Sequence, residues 1–193
     1  MLENLDNYKI LLASNSPRRR ELLEGIDINY NVVTIPDIDE SYPKELKGEK
    51  IPEYIAKKKA DAYLSLLDNG TIIITADTVV ILDGVIYGKP KDEQDAINML
   101  LQLSGKTHKV ITGVCIRSKE KEVLFSSISS VTFAKLTLDE IKYYVSLYKP
   151  FDKAGSYGIQ EWIGYIAVER IEGSYFNIMG LPIQKLYTEL KKF

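Results

Sequence analysis

Thr71 to Leu82 is the most apolar stretch of the chain, and one acid, Asp77, interrupts it. Ile72-Ile73-Ile74 stand on one side of that acid and Val79-Val80-Ile81 on the other. A carboxylate in such surroundings is costly to bury without a metal, a cation or a catalytic role. The bland alternative is an aspartate satisfied within a turn network. Asp83-Gly84 follows directly, a two-residue hairpin signal leading into Val85-Ile86-Tyr87.

The segments around this stretch give a coarse architecture. Tyr8 to Ala13 has the length and composition of a buried strand and runs into Ser14-Asn15-Ser16-Pro17. Ser16 is expected to cap a helix that starts at Pro17, buries Leu22 and Leu23, and stops at a left-handed Gly25. A second strand is expected over Tyr30 to Ile35, ahead of the acidic loop Asp37 to Ser41. Ile51 to Leu67 has helical spacing through Ile55, Ala56, Ala60, Tyr63 and Leu67. Asp92 should cap a helix reaching Leu103, with Gly105 ending it. Lys109 to Ile116 and Val123 to Phe133 are β-rich, and Thr137-Leu138-Asp139-Glu140 is a capping box for a helix ending near Tyr148, before Pro150. Strands are expected at Ala154 to Ile159 and Tyr165 to Ile171, and Pro182 opens a C-terminal helix through Leu190. Strands and helices mix without strict alternation, repeat or low-complexity linker. The expected fold class is α/β, one domain over residues 1–193 with a mixed sheet.

Composition narrows the chemistry. With 193 residues, 45% of them hydrophobic, the chain can bury a full core. Lys plus Arg is 25 against 27 Asp plus Glu, a net charge of −2 that gives no electrostatic case for a nucleic-acid track or an anionic membrane surface. An anionic ligand must therefore meet a local basic site. Cys115 and His108 are the lone cysteine and histidine, which excludes disulfide frameworks and Cys/His zinc clusters. What metal chemistry remains is carboxylate chemistry. Met1 to Asn7 is polar, with no apolar segment behind a basic start, and no run approaches a membrane span; the expected location is cytoplasmic.

Ser14, Ser16, Arg18 and Arg19 gather at a predicted helix start. Free backbone N–H groups, the helix dipole and guanidinium forks together make an anion site there. The alternative is a capped helix with solvated arginines, but basic residues are unwelcome in a first turn unless an anion offsets them. Lys59, Lys89 and Lys106 each read alone as surface lysines; Lys89, in a Gly-Lys-Pro loop just past a hairpin strand, is the best placed to face a ligand. Gly105-Lys106-Thr107 is not a phosphate loop, because Leu100 stands where that motif needs its first glycine. His108 and Cys115 read as structural.

Six motifs occur in order: Ser14-Asn15-Ser16-Pro17-Arg18-Arg19, Ala76-Asp77-Thr78, Gly88-Lys89-Pro90, Ser104-Gly105-Lys106-Thr107-His108, Lys153 to Gln160 (KAGSYGIQ), and Gly173-Ser174-Tyr175 with Met179-Gly180-Leu181-Pro182. From about Lys9 to the C-terminus the chain resembles the Maf family of nucleoside triphosphate pyrophosphatases, also called septum formation inhibitor proteins. The resemblance implies an elongated fold related to the inosine triphosphate pyrophosphatases, with substrate in a cleft. It implies that Asp77 is the catalytic proton acceptor, that Asp77 and Glu40 hold Mg²⁺ or Mn²⁺, and that Arg18, Arg19, Lys59 and Lys89 neutralise the triphosphate. Arg18, Thr78 and Gln160 match the positions linked to base choice in the branch acting on dTTP and UTP. The implied reaction is cleavage to monophosphate and pyrophosphate. Competing expectations are a pyrophosphatase for damaged purine nucleotides and a division-regulating binding protein with incidental hydrolysis. A homodimer is among the assemblies such a chain can form.

Overall fold

The computed structural model describes residues 2–193; Met1, the first residue of the polar N-terminal stretch, lies outside the described residues. In chain order the elements are β1 (Lys9–Leu12), α1 (Pro17–Glu24), β2 (Asn31–Val32), α2 (Lys50–Asp61), β3 (Thr71–Leu82), β4 (Val85–Tyr87), α3 (Glu93–Leu103), β5 (Thr107–Arg117), β6 (Glu122–Phe133), α4 (Leu138–Tyr148), α5 (Trp162–Ala167), β7 (Val168–Glu172), α6 (Tyr175–Met179) and α7 (Ile183–Leu190). The strands pair in the order β2-β1-β3-β5-β6-β7, with β4 on β3. β1 is parallel to both β2 and β3, while β4 on β3 and β7 on β6 are antiparallel, so the sheet is mixed as expected. No helix among the described residues is long and apolar enough to cross a membrane.

Two compact units are assembled from interleaved stretches: Met1–Asp77, Thr112–Ser127 and Gly180–Phe193 form one, Thr78–Ile111 and Ile128–Met179 the other. In the first, the apolar run of β3 is fully inside, with Ile72, Ile73 and Ile74 at 0% exposure. Leu11, Ala13, Tyr63 and Ile73 form one cluster there, roofed by Val33, Ile38 and Leu67. Ala56 and Ala60 of α2 lie against Cys115 in another. In the second, α3 is capped by the Asp92 carboxylate on the Asp95 N–H at 2.8 Å. The capping box of α4 forms in full between Thr137 and Glu140, and Lys149 in the left-handed region ends that helix before Pro150.

Some local expectations fail for identifiable reasons. Ser16 occupies the N-cap position of α1, but its hydroxyl caps nothing; the Ser14 hydroxyl instead accepts the Ser16 N–H at 3.2 Å. Gly25 keeps right-handed helical angles, and the left-handed residue comes two positions later at Asp27. Of Tyr30 to Ile35 only Asn31–Val32 pairs, and α2 stops at Asp61, with a 3₁₀ turn over Leu64–Leu66. Ala154–Ser156 is a 3₁₀ turn rather than a strand, because Gly155 and Ser156 both take positive φ. Tyr165 to Ala167 belongs to α5, and extended structure begins only at Val168.

Candidate active site

Asp77 ends the first of the three stretches that make up the first unit and is 8% exposed. α2 is fixed beneath it by backbone and side-chain contacts. The Thr75 hydroxyl donates to the Ala56 carbonyl at 2.6 Å, two residues before Asp77. Gly113 of β5 lets the start of α2 come close: a Cβ there would lie 2.3 Å from the Pro52 carbonyl carbon. With Ala56 and Ala60 buried, Lys59 emerges toward Asp77, and its ammonium sits 2.8 Å from Asp77 Oδ1 and 3.0 Å from Glu40 Oε1. The neighbouring Asp39 is taken by Lys58 at 2.6 Å and by Ser41. Those bonds, the one from Lys58 above all, hold the Asp39 carboxyl well below the usual carboxylate range. Consecutive acids thus pair with consecutive lysines, and Glu40 is the one that shares a cation with Asp77.

Arg19 reaches the same group from α1. Its Nε donates to the Gly180 carbonyl at 2.8 Å, and one terminal nitrogen donates to the Ala76 carbonyl at 2.8 Å and the Ser14 hydroxyl at 3.3 Å. Burial lowers the Arg19 pKa, the charge of Arg18 adds to that, and Asp77 and Glu40 oppose it. An arginine so tied to carbonyls is a fixed charge rather than a swinging one. Arg18 and Ser16 flank it at the α1 N-terminus, half-buried, where no acid occupies the first turn. Ser14, Ser16, Arg18, Arg19, Glu40, Lys59 and Asp77 therefore all lie in the first unit.

Thr78, Lys89 and Gln160 belong to the second unit. Thr78 is half-buried, and Lys89 is exposed on the loop after β4. The segment carrying Gln160 is anchored to that loop by the Gly155 N–H on the Gly88 carbonyl at 3.0 Å. Gly155 also packs against Val80 so closely that a Cβ would sit 2.9 Å from its methyl group, at a φ of 67° that L side chains resist. Gln160 Oε1 is buried with no hydrogen-bond partner.

Three residues near it had no role in the sequence reading. The Lys153 ammonium pairs with Glu161 Oε1 at 3.0 Å and Asp152 Oδ1 at 2.8 Å. The Tyr144 hydroxyl donates to Glu161 Oε2 and accepts the Gly158 N–H, the latter at 3.0 Å. Lys153 and Tyr144 are buried, and burial, reinforced by Glu161, pushes the Tyr144 phenol well above its ordinary pKa. Residues eight apart on an irregular segment leave no periodic signal, so only the motif itself pointed to this region.

His108 and Cys115 are structural, as their sequence surroundings imply. His108 Nε2 lies 2.8 Å from the Tyr157 hydroxyl, its ring packs edge-on to Phe133 and Tyr157, and burial lowers its pKa to about 4. Burial likewise raises the Cys115 thiol to about 12, far from a reactive thiolate.

The chain is similar to known proteins along its whole length. The chain is 62% identical to a dTTP/UTP pyrophosphatase of Phocaeicola vulgatus and 58% identical to one of Bacteroides thetaiotaomicron, each over 192 residues covering 100% of both chains. A dTTP/UTP pyrophosphatase of Porphyromonas gingivalis is 57% identical over 195 residues, covering 100% of this chain and 98% of its own. Among solved structures, the fold is similar to the Ham1 protein of Staphylococcus aureus, with a TM-score of 0.52 at 20% identity over 94% of this chain and 99% of that one. A HAM1 protein of Coxiella burnetii gives 0.53 at 15% identity over 96% and 100%. The family model described as Maf-like protein matches residues 9–193, and with relatives this similar along their whole length the chain belongs to the Maf-like family.

Proposed function

We propose that the protein hydrolyses dTTP and UTP to the monophosphate and pyrophosphate. The observation that carries this reading is the buried Asp77 carboxylate held 2.8 Å from a lysine that also reaches Glu40, beside a fixed arginine. A buried pair of this kind returns little stability for the charges it desolvates, so its place is better explained by chemistry. The full-length relatives named dTTP/UTP pyrophosphatase supply the substrate class. A division-regulating binding protein would have no use for this constellation.

In the reaction Asp77 accepts a proton from the water that attacks the α-phosphorus. The bond from that phosphorus to the bridging oxygen breaks, and both electrons leave with pyrophosphate. Charge builds up on two phosphates at once, which is the demand met by Lys59, Lys89, Arg18, Arg19 and the N–H groups of the α1 N-terminus, with the Ser14 and Ser16 hydroxyls as further donors. Asp77 and Glu40, already drawn to one ammonium, are a donor set suited to Mg²⁺ or Mn²⁺, which takes one or two carboxylates and completes its shell with phosphate oxygens and water. Among the described residues no group of three or more His, Cys, Asp or Glu is placed to hold a metal ion. When bound, the cation supplies Lewis acidity toward the phosphate oxygens.

Thymine and uracil present O4 as acceptor and N3–H as donor, and the Gln160 amide offers the complement. Thr78 and Arg18 complete the base-selecting set. We read residues 1–193 as one working domain, since three of the passages between the two units lie inside β3, β5 and β6, and we propose a cytoplasmic location. Incubation of the purified protein with dTTP and Mg²⁺, followed by ³¹P NMR, tests the proposal: pyrophosphate and dTMP are expected, and orthophosphate as first product would refute it.

A further inference from the structure

The segment Lys153–Glu161 is closed on itself. The Lys153–Glu161 ion pair joins its ends at 3.0 Å, and the Tyr144 hydroxyl, from the buried face of α4, ties its middle to its end by accepting from Gly158 N–H while donating to Glu161. The Glu161 N–H adds a bond to the Gly158 carbonyl at 3.0 Å. Gly158 is held so tightly that a Cβ would come within 2.7 Å of the Glu161 carboxyl carbon and 3.0 Å of Lys153 Cε. Gln160 is the residue between Ile159, which is buried, and Glu161, which is pinned. Glu161 is also the N-cap of α5, yet its side chain caps nothing there, because the carboxylate is spent on Lys153 and Tyr144.

Gln160 Oε1 is the buried acceptor that this closure leaves unsatisfied. An unpaired buried acceptor is destabilising, and a side chain on a loose segment would turn toward water to recover its hydrogen bond. We propose that Tyr144, Glu161 and Lys153 are positioning residues for base selection, holding the Gln160 carbonyl oxygen inward as an acceptor that the N3–H of thymine or uracil fills. Cytosine, with an acceptor at N3, would meet oxygen with a lone pair. The inference rests on Gln160 as the base reader.

The test is a set of kcat/KM ratios for dTTP over dCTP, measured on the full chain with Mg²⁺. Glu161→Gln keeps shape but removes the charge that Lys153 and Tyr144 hold; it should narrow the ratio by about ten-fold. Tyr144→Phe keeps the buried ring and removes only the hydroxyl; it should narrow the ratio in the same direction and serves if Glu161→Gln does not fold. In a Gln160→Ala background, where the ratio is already low, neither change should lower it further. A general loosening of the fold would instead reduce both nucleotides alike, or act equally with and without Gln160, and either result overturns the proposal. If Gln160→Ala alone leaves the ratio unchanged, the base-reading role itself fails and takes this inference with it, a pattern distinct from failure of the network alone.

Discussion

Asp77 is where sequence and structure meet most directly: an acid inside an apolar strand needs a partner, and Lys59 is that partner. Asp77→Asn keeps the shape while losing the ability to take a proton. Turnover of dTTP should fall by a factor on the order of 10² to 10⁴ with the melting temperature little changed. A variant keeping most of its rate would remove Asp77 from the reaction. Lys59→Met should behave differently, since it leaves Asp77 and Glu40 without their shared cation. Both activity and stability should drop, the latter by about 3 kcal/mol, the low end for a broken, nearly buried pair, as read from urea unfolding. The Asp77 position is legible because apolar neighbours on both sides make its burial certain. Lys59 is singled out in the sequence only by the family resemblance, since nothing in the chemistry of Lys57-Lys58-Lys59 distinguishes the third lysine until helix phase and the Thr75–Ala56 bond aim it.

At the level of elements, glycines decide how closely the pieces approach. Gly113→Ala would drive a Cβ into the Pro52 carbonyl at 2.3 Å, so β5 and α2 must separate. We expect destabilisation on the order of 3 kcal/mol, with loss of dTTP turnover because α2 carries Lys59. Gly164→Ala puts a Cβ 1.8 Å from the Ile159 carbonyl oxygen, next to Gln160. It should damage base selection along with stability, seen as a smaller dTTP to dCTP preference in whatever folded protein remains. Helix starts and stops with chemical signals were readable in advance: the Asp92 cap, the Thr137–Glu140 box, Pro182 before α7. Strands are expected over Ala154–Ile159 and Tyr165–Ile171 because their apolar residues lack a helical period, whereas the first holds a 3₁₀ turn and the second becomes extended only from Val168. The turn takes positive φ at Gly155 and Ser156, with Gly155 packed on Val80 and bonded to the Gly88 carbonyl.

For the molecule as a whole, acid sensitivity should follow from its one histidine. Burial lowers the His108 pKa from 6.5 to about 4, so between those values the unfolded chain binds a proton that the folded chain does not. The contribution of His108 is therefore complete above about pH 6.5 and is lost as pH falls toward 4, by on the order of 3 kcal/mol. Urea unfolding of the wild type and of His108→Gln at pH 7 and pH 5 checks this. The difference in stability between the two pH values should be smaller in the variant, and equal differences would mean that His108 is not the group responsible.

The sequence by itself determined the mixed α/β class, most helix limits, the buried acid of β3 and, through six ordered motifs, the family. These rest on local chemistry: hydrophobic runs, caps, hairpin residues and spacing survive in a linear string. What the tertiary structure decided is which charges share a partner. Glu40 rather than Asp39 joins Asp77 on Lys59, Arg19 is bound to the carbonyls of Ala76 and Gly180, and Tyr144 closes the Lys153–Glu161 loop around Gln160. Each of these depends on residues far apart in the chain, or on an irregular turn, being brought within about 3 Å, a distance that hydrogen bonds require and that sequence periodicity does not encode.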